Sequence, residues 1–160
     1  MRKLALLLAA LPLAASLAHA ASTSNTASGS GALALAALVG AQSPTLSAPH
    51  KTALADMLNG NLGFPGKEKI TVKADKVTCR ASNVDISAHS CELDFGSAKR
   101  TLTGRAAHEL YATLIEVGVP SDGAAGSVFE SVTMLSCTVD VGAVKDKAGG
   151  GADCTFTSGP

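Results

Sequence analysis

Gly60-Asn61-Leu62-Gly63-Phe64-Pro65-Gly66-Lys67-Glu68-Lys69-Ile70-Thr71-Val72-Lys73-Ala74-Asp75-Lys76-Val77-Thr78-Cys79 reads as a turn-rich loop feeding a long strand. Ile70, Val72 and Ala74 alternate with polar residues, the period of a strand with one buried face. The apolar set then moves to the other parity, at Val77, Cys79 and Ala81. A one-residue slip turns every later side chain to the opposite face unless a bulge absorbs it, so a bulge is expected at Asp75-Lys76. The stretch from Gly118 to Cys137 repeats the pattern. There Val128 and Val132 give way to Leu135, Cys137, Val139 and Val141, with the slip at Thr133-Met134. His50/His108, Gly60/Gly118 and Cys79/Cys137 recur at one constant offset.

Working outward, each long strand has a helix before it and a second strand after it. Ser47-Ala48-Pro49 supplies an N-cap and a first-turn proline, and Leu54, Met57 and Leu58 follow as an apolar stripe ending at Asn59-Gly60. Thr103 to Val117 gives the second helix, with Leu110, Tyr111, Leu114 and Val117 at helical spacing. The second strands, near 90–96 and 152–157, carry Cys91-Glu92-Leu93-Asp94-Phe95-Gly96 and Cys154-Thr155-Phe156-Thr157-Ser158-Gly159. The expected fold is α+β: two tandem helix–strand–strand units, pseudo-repeats 47–96 and 105–159, in one domain over 45–160. They would form a four-stranded antiparallel sheet with two helices on one face.

Residues 1–20 have the form of a secretory signal peptide. Arg2 and Lys3 precede an apolar run from Leu4 to Leu17, and Ala18-His19-Ala20 is a cleavage site, placing the mature start at Ala21. Residues 21–44 are rich in Ala, Ser and Gly and read as a flexible N-terminal segment, with a loosely docked helix over 31–40. No segment after the cleavage point is long enough to span a bilayer. The implied location is the periplasm or the medium.

Cysteines in an exported chain of this size imply disulfides, and the four here make two. Pairing within each unit, Cys79–Cys91 and Cys137–Cys154, staples each hairpin. The rival is pairing between units, Cys79 with Cys137, which needs the two long strands to be neighbours. No Cys-x-x-Cys and no zinc-type ligand spacing occurs.

The chain has 13 basic and 13 acidic residues, and cleavage removes two of the basic ones, so nothing favours nucleic acid. With no Trp, one Tyr and four Phe, base-stacking platforms have little to be made from. Glu92 and Asp94 fall on the wet face of a strand, where nothing drives their pKa values apart. His89 and Ser90 are neighbours on a strand and point to opposite faces. Asp85 with His89 is a thin basis for a metal site, and a solvated loop is the plainer reading. Gly149-Gly150-Gly151 lacks the Lys-Ser/Thr that a phosphate loop needs. No cofactor, metal or catalytic residue is expected.

No residue pattern identifies a family. In architecture alone the arrangement resembles small exported inhibitor proteins made of tandem helix-plus-sheet repeats, which implies protein binding. The expectation is therefore a non-enzymatic exported binding or inhibitor-type protein, its partner another exported protein. The loop residues Pro120, Ser121, Asp122 and Gly123 are the candidate contacts. A structural, envelope-associated protein is the alternative, and an enzyme of unfamiliar type comes third.

Overall fold

The computed structural model describes residues 22–61, 66–82, 84–121, 131–145 and 148–159. At its centre the two long strands lie side by side. β2 (Lys69–Arg80) pairs antiparallel with β5 (Val132–Asp140), placing Ile70 opposite Val139, Val72 opposite Cys137 and Val77 opposite Val132. The two parity slips face each other. Ala74 and Val77 are buried while Asp75 and Lys76 are exposed; across the ladder Val132 and Leu135 are buried while Met134 is exposed. Because both strands slip together, their mutual register holds, with Ala74 opposite Leu135 and Lys76 opposite Thr133. The register of β5 shifts instead against its other neighbour, β6 (Ala152–Ser158), between Thr133 and Ser136.

β3 (Ser90–Asp94) completes a hairpin with β2, as β6 does with β5. Cys79–Cys91 and Cys137–Cys154 bridge these hairpins, joining facing residues whose Cα atoms are 4.0 Å apart in each case. The long strands are neighbours, as the rival pairing requires, yet Cys137 faces Val72 and not Cys79. No free cysteine remains.

The sheet has six strands, not the four expected, in the order β1-β6-β5-β2-β3-β4. The added edges are β1 (Thr23–Ser28) and β4 (Lys99–Thr103). Neither shows alternating hydrophobicity. Each is held by backbone pairing to a single neighbour and turns little inward, chiefly Ala27 on β1 and Leu102 on β4.

Three helices cover one face, not two. α1 (Ser30–Gln42), α2 (Ala48–Leu58) and α3 (Gly104–Glu116) follow β1, precede β2 and follow β4 respectively. Of the segment expected to be flexible, residues 23–28 form the exposed edge strand β1, and the helix expected over 31–40 forms as α1, buried in the core and not loosely docked. α1 packs between α2 and α3 over β5, β6 and β2 and buries Ala32, Leu33, Leu35, Ala36 and Val39. Its sequence is apolar all round, which suits a helix surrounded by protein and leaves no amphipathic stripe to reveal it. α2 has the expected cap: the Ser47 hydroxyl accepts from the His50 N–H at 3.4 Å.

The two sides of the sheet match closely. Gly29, at φ 76°, links β1 to α1 and donates its N–H to Ala152 O at 3.0 Å; Gly104, at φ 59°, links β4 to α3 and donates to His89 O at 2.9 Å. Both backbones need the left-handed region that glycine enters freely. Cys154 Sγ lies 3.4 Å from Ala32 O, and Cys91 Sγ 3.3 Å from Ala107 O, so each disulfide packs under the first turn of its helix. The counterpart of α3 is therefore α1, where the sequence pattern had pointed to α2.

Candidate functional site

Two places concentrate chemistry. The first lies beneath α3. A 3-10 turn, Ile86–Ala88, leads into β3 and is held by Asp85, whose carboxylate accepts from the Ser87 hydroxyl at 2.7 Å and the Ser87 N–H at 2.8 Å. These bonds, the hydroxyl foremost, hold the Asp85 carboxyl below the usual carboxylate range. His89 follows. Its N–H donates to Ile86 O at 3.1 Å and its carbonyl accepts from Gly104, so its backbone is fixed on both sides. Its ring turns inward and is only 4% exposed.

His108, near the start of α3, meets it: Nδ1 of His108 lies 3.2 Å from Nε2 of His89, the rings nearly perpendicular with centroids 4.8 Å apart. One turn on, Tyr111 sets its ring 5.9 Å from that of His89, and its hydroxyl is 2.7 Å from Ser121 Oγ. A hydrogen bond between two imidazoles needs one N–H and one lone pair. Whichever ring donates, Nδ1 of His89 is left buried with no partner among the described residues. Such an atom costs about 1–3 kcal/mol. The chain of contacts runs from the stapled β2–β3 hairpin to the loop after α3, where Pro120 is exposed and Ser121 is tied to Tyr111. Asp122 and Gly123 lie outside the described residues.

The second place is the helix-free face of the sheet. Thr71, Lys73, Lys76, Thr78 and Arg80 of β2 point there, beside Ser136 and Thr138 of β5 and Thr155 and Thr157 of β6. Glu92 and Asp94 also face outward, as expected, and both engage Lys99 of β4, at 3.2 and 3.3 Å. Asp94 is held below the usual carboxylate range mainly by the Gly96 N–H; Lys99 is pushed up by the Glu92 and Asp94 carboxylates.

In the middle of this polar field stands Met134. It is 69% exposed and, at φ 53°, is the only non-glycine among the described residues with positive φ. The helix-covered side at this level is filled by buried Val77, Val132 and Leu135, so the side chain projects from the open face.

The remaining sequence candidates have quieter places. Ser90 points to the open face and His89 to the core, so they do not act together. His50 lies 3.5 Å from Glu68 at the surface. Gly149 packs against the Gly29–Ser30 backbone so closely that a Cβ would fall within 2.5 Å of it, a tight backbone crossing. Among the described residues no three His, Cys, Asp or Glu side chains converge on a metal position. No helix among them is long and apolar enough to cross a membrane.

Sequence reasoning missed the His89–His108 contact, because the residues belong to different elements and only the β3–β4–α3 path joins them. Met134 carried a signal in the parity slip, which marked the bulge but not its exposure. No family model matches the chain, and no curated protein or solved structure matches it.

Proposed function

We propose that this is an exported, non-enzymatic binding protein of inhibitor type that engages another exported protein through the helix-free face, with Met134 as anchor. The observation carrying this reading is Met134 itself. A non-glycine residue in the left-handed region costs about 1–2 kcal/mol. An exposed apolar side chain returns nothing to the fold, and strain of this kind gathers at functional positions. A protruding flexible thioether in a field of hydroxyls and lysines has the form of an interface hot spot with a polar rim. The two stapled hairpins support it, since a rigid surface loses little order on binding. Two disulfides also suit an oxidising compartment. The segment Pro120, Ser121, Asp122 and Gly123 is a second contact in this reading, with Ser121 held by Tyr111.

The enzyme reading has one observation in its favour, the His89–His108 pair. His89 is only 4% exposed, so a substrate could reach the pair only at the half-buried His108.

The test is a titration of the oxidised mature protein against exported proteins of its own source. A saturable complex is expected, weakened about tenfold or more by Met134→Ala with no loss of thermal stability. Association with the envelope fraction alone, or a complex indifferent to Met134, overturns the reading.

A further inference from the structure

Reduced sulfur is scarce on this molecule. All four cysteines are tied in the two disulfides and no thiol is free. The chain has no Trp and three methionines, namely Met1 in the expected signal peptide, Met57 and Met134. Met57 of α2 is 1% exposed and belongs to the core, whereas Met134 is 69% exposed. Met134 therefore carries the one thioether that solvent reaches among the described residues.

Its surroundings suit an oxidised sulfur. Lys73 stands opposite Ser136 and Lys76 opposite Thr133, so Met134 lies between two rungs that each offer an ammonium and a hydroxyl. A thioether is a weak acceptor and makes little use of such donors. A sulfoxide oxygen accepts from them. Because the Met134 side chain fills no space in the core, a change in its polarity leaves the packing alone.

We infer that Met134 is a reversible oxidation site that switches the helix-free face from apolar-anchored to polar. The oxidant is a two-electron oxidant of the peroxide class. The sulfur lone pair attacks one peroxide oxygen; an S–O bond forms as the O–O bond breaks. The leaving hydroxide takes the proton of the transferred oxygen and departs as water. Sulfur is oxidised to the sulfoxide and the peroxide is reduced. A flexible apolar side chain thus becomes a polar, chiral one, and methionine sulfoxide reductases undo the change. In that reversal a dithiol donor is oxidised to its disulfide and the oxygen leaves as water. The oxidation site follows from exposure; its role as a switch rests on the reading of Met134 as anchor.

The test treats the mature, disulfide-bonded protein with hydrogen peroxide. Peptide mass mapping, melting, and retention on a phenyl matrix as an apolar probe follow the product. One oxygen atom should be taken up at Met134, with Met57 about tenfold or more slower until denaturant unfolds the chain. The melting temperature should not move. The sulfoxide form and Met134→Ala should both be retained less than the native protein. Met134→Leu should keep its retention and take up no oxygen while folded. A methionine sulfoxide reductase with its dithiol donor should restore the native mass and retention, since all four disulfide cysteines are buried. Oxidation of Met57 as fast as Met134, or a lower melting temperature in the sulfoxide form, overturns the inference. If Met134→Ala lowers retention and the sulfoxide does not, the switch fails and the anchor reading stands. If Met134→Ala is retained like the native protein, the anchor reading itself fails and takes the switch with it.

Discussion

Beneath α3, on the β2–β3–β4 side, the chain places His89, His108 and Tyr111. On the β5–β6–β1 side the positions that match them, counting from Gly104 and Gly29, hold Ala152, Leu33 and Ala36, all buried. A hairpin disulfide and a glycine bond at the start of the helix occur on both sides. The apolar side shows that this architecture does not need a polar cluster. The histidines are thus an addition to the scaffold, one that leaves a buried nitrogen without a partner among the described residues. The edges differ as well, charged on β4 and bare on β1.

The comparison breaks first if the two bridges are unequal. They close loops of 12 and 17 residues, and the loop-entropy model gives about 3 kcal/mol for a loop of that size. Replacing either pair by alanine should lower stability by similar amounts, and reducing both should approach the whole stability of a small domain. Urea midpoints of the two double variants, compared with that of the reduced protein, check this. A midpoint unmoved by reductant would refute the stapled-hairpin account.

The core gives the next largest effect. Leu35 of α1 and Leu110 of α3 occupy matching positions and are both fully buried. Truncation to alanine should cost about 2–5 kcal/mol at each. A silent Leu35→Ala beside a damaging Leu110→Ala would mean that the β1–α1 segment is not part of the cooperative fold.

Grafting one side onto the other sharpens the reading of the histidines. His108→Leu alone strips the remaining partner from His89 and should cost about 1–3 kcal/mol. His89→Ala with His108→Leu copies the apolar side and should be less destabilised than the single change, since removing both partners of a buried bond can be nearly neutral. If the double variant is the worse of the two, the pair is structural.

What the sequence could disclose follows from how each element is held. β2, β5, β3 and β6 bury alternate side chains against helices, so their periodicity, both slips and the disulfide partners were legible. β1 and β4 are held by backbone bonds, which leave no mark on composition, and α1 is apolar on every side. The sequence reading missed β1 and β4, and it placed a helix over 31–40 but took it to be loosely docked. The candidate site was less legible still. His89 and His108 come together through three-dimensional packing alone, and the exposure of Met134 depends on how two facing slips are absorbed.

The smallest effect lies in the ionic group on the open face, which only one side possesses. Lys99 of β4 touches Glu92 and Asp94, whereas the matching stretch of β1 carries no charge. Asp94 is held below its ordinary value, so its contribution is present above the usual carboxylate value, about 4, and fades as pH falls through the lower folded value. Lys99 is pushed above its ordinary value. Its contribution is complete below about 10.4 and is lost as pH rises through the higher folded value. Lys99 and Glu92 are solvent-exposed and Asp94 is partly so, and pairs at the surface are weak and screened by salt. Lys99→Met should therefore flatten the stability profile slightly at both limbs in low salt and change nothing at high salt. Melting curves across pH at two ionic strengths read this out. An effect that survives high salt would show that Lys99 acts by covering β3 with its aliphatic stem, and the difference between the edges would then be one of packing and not of charge.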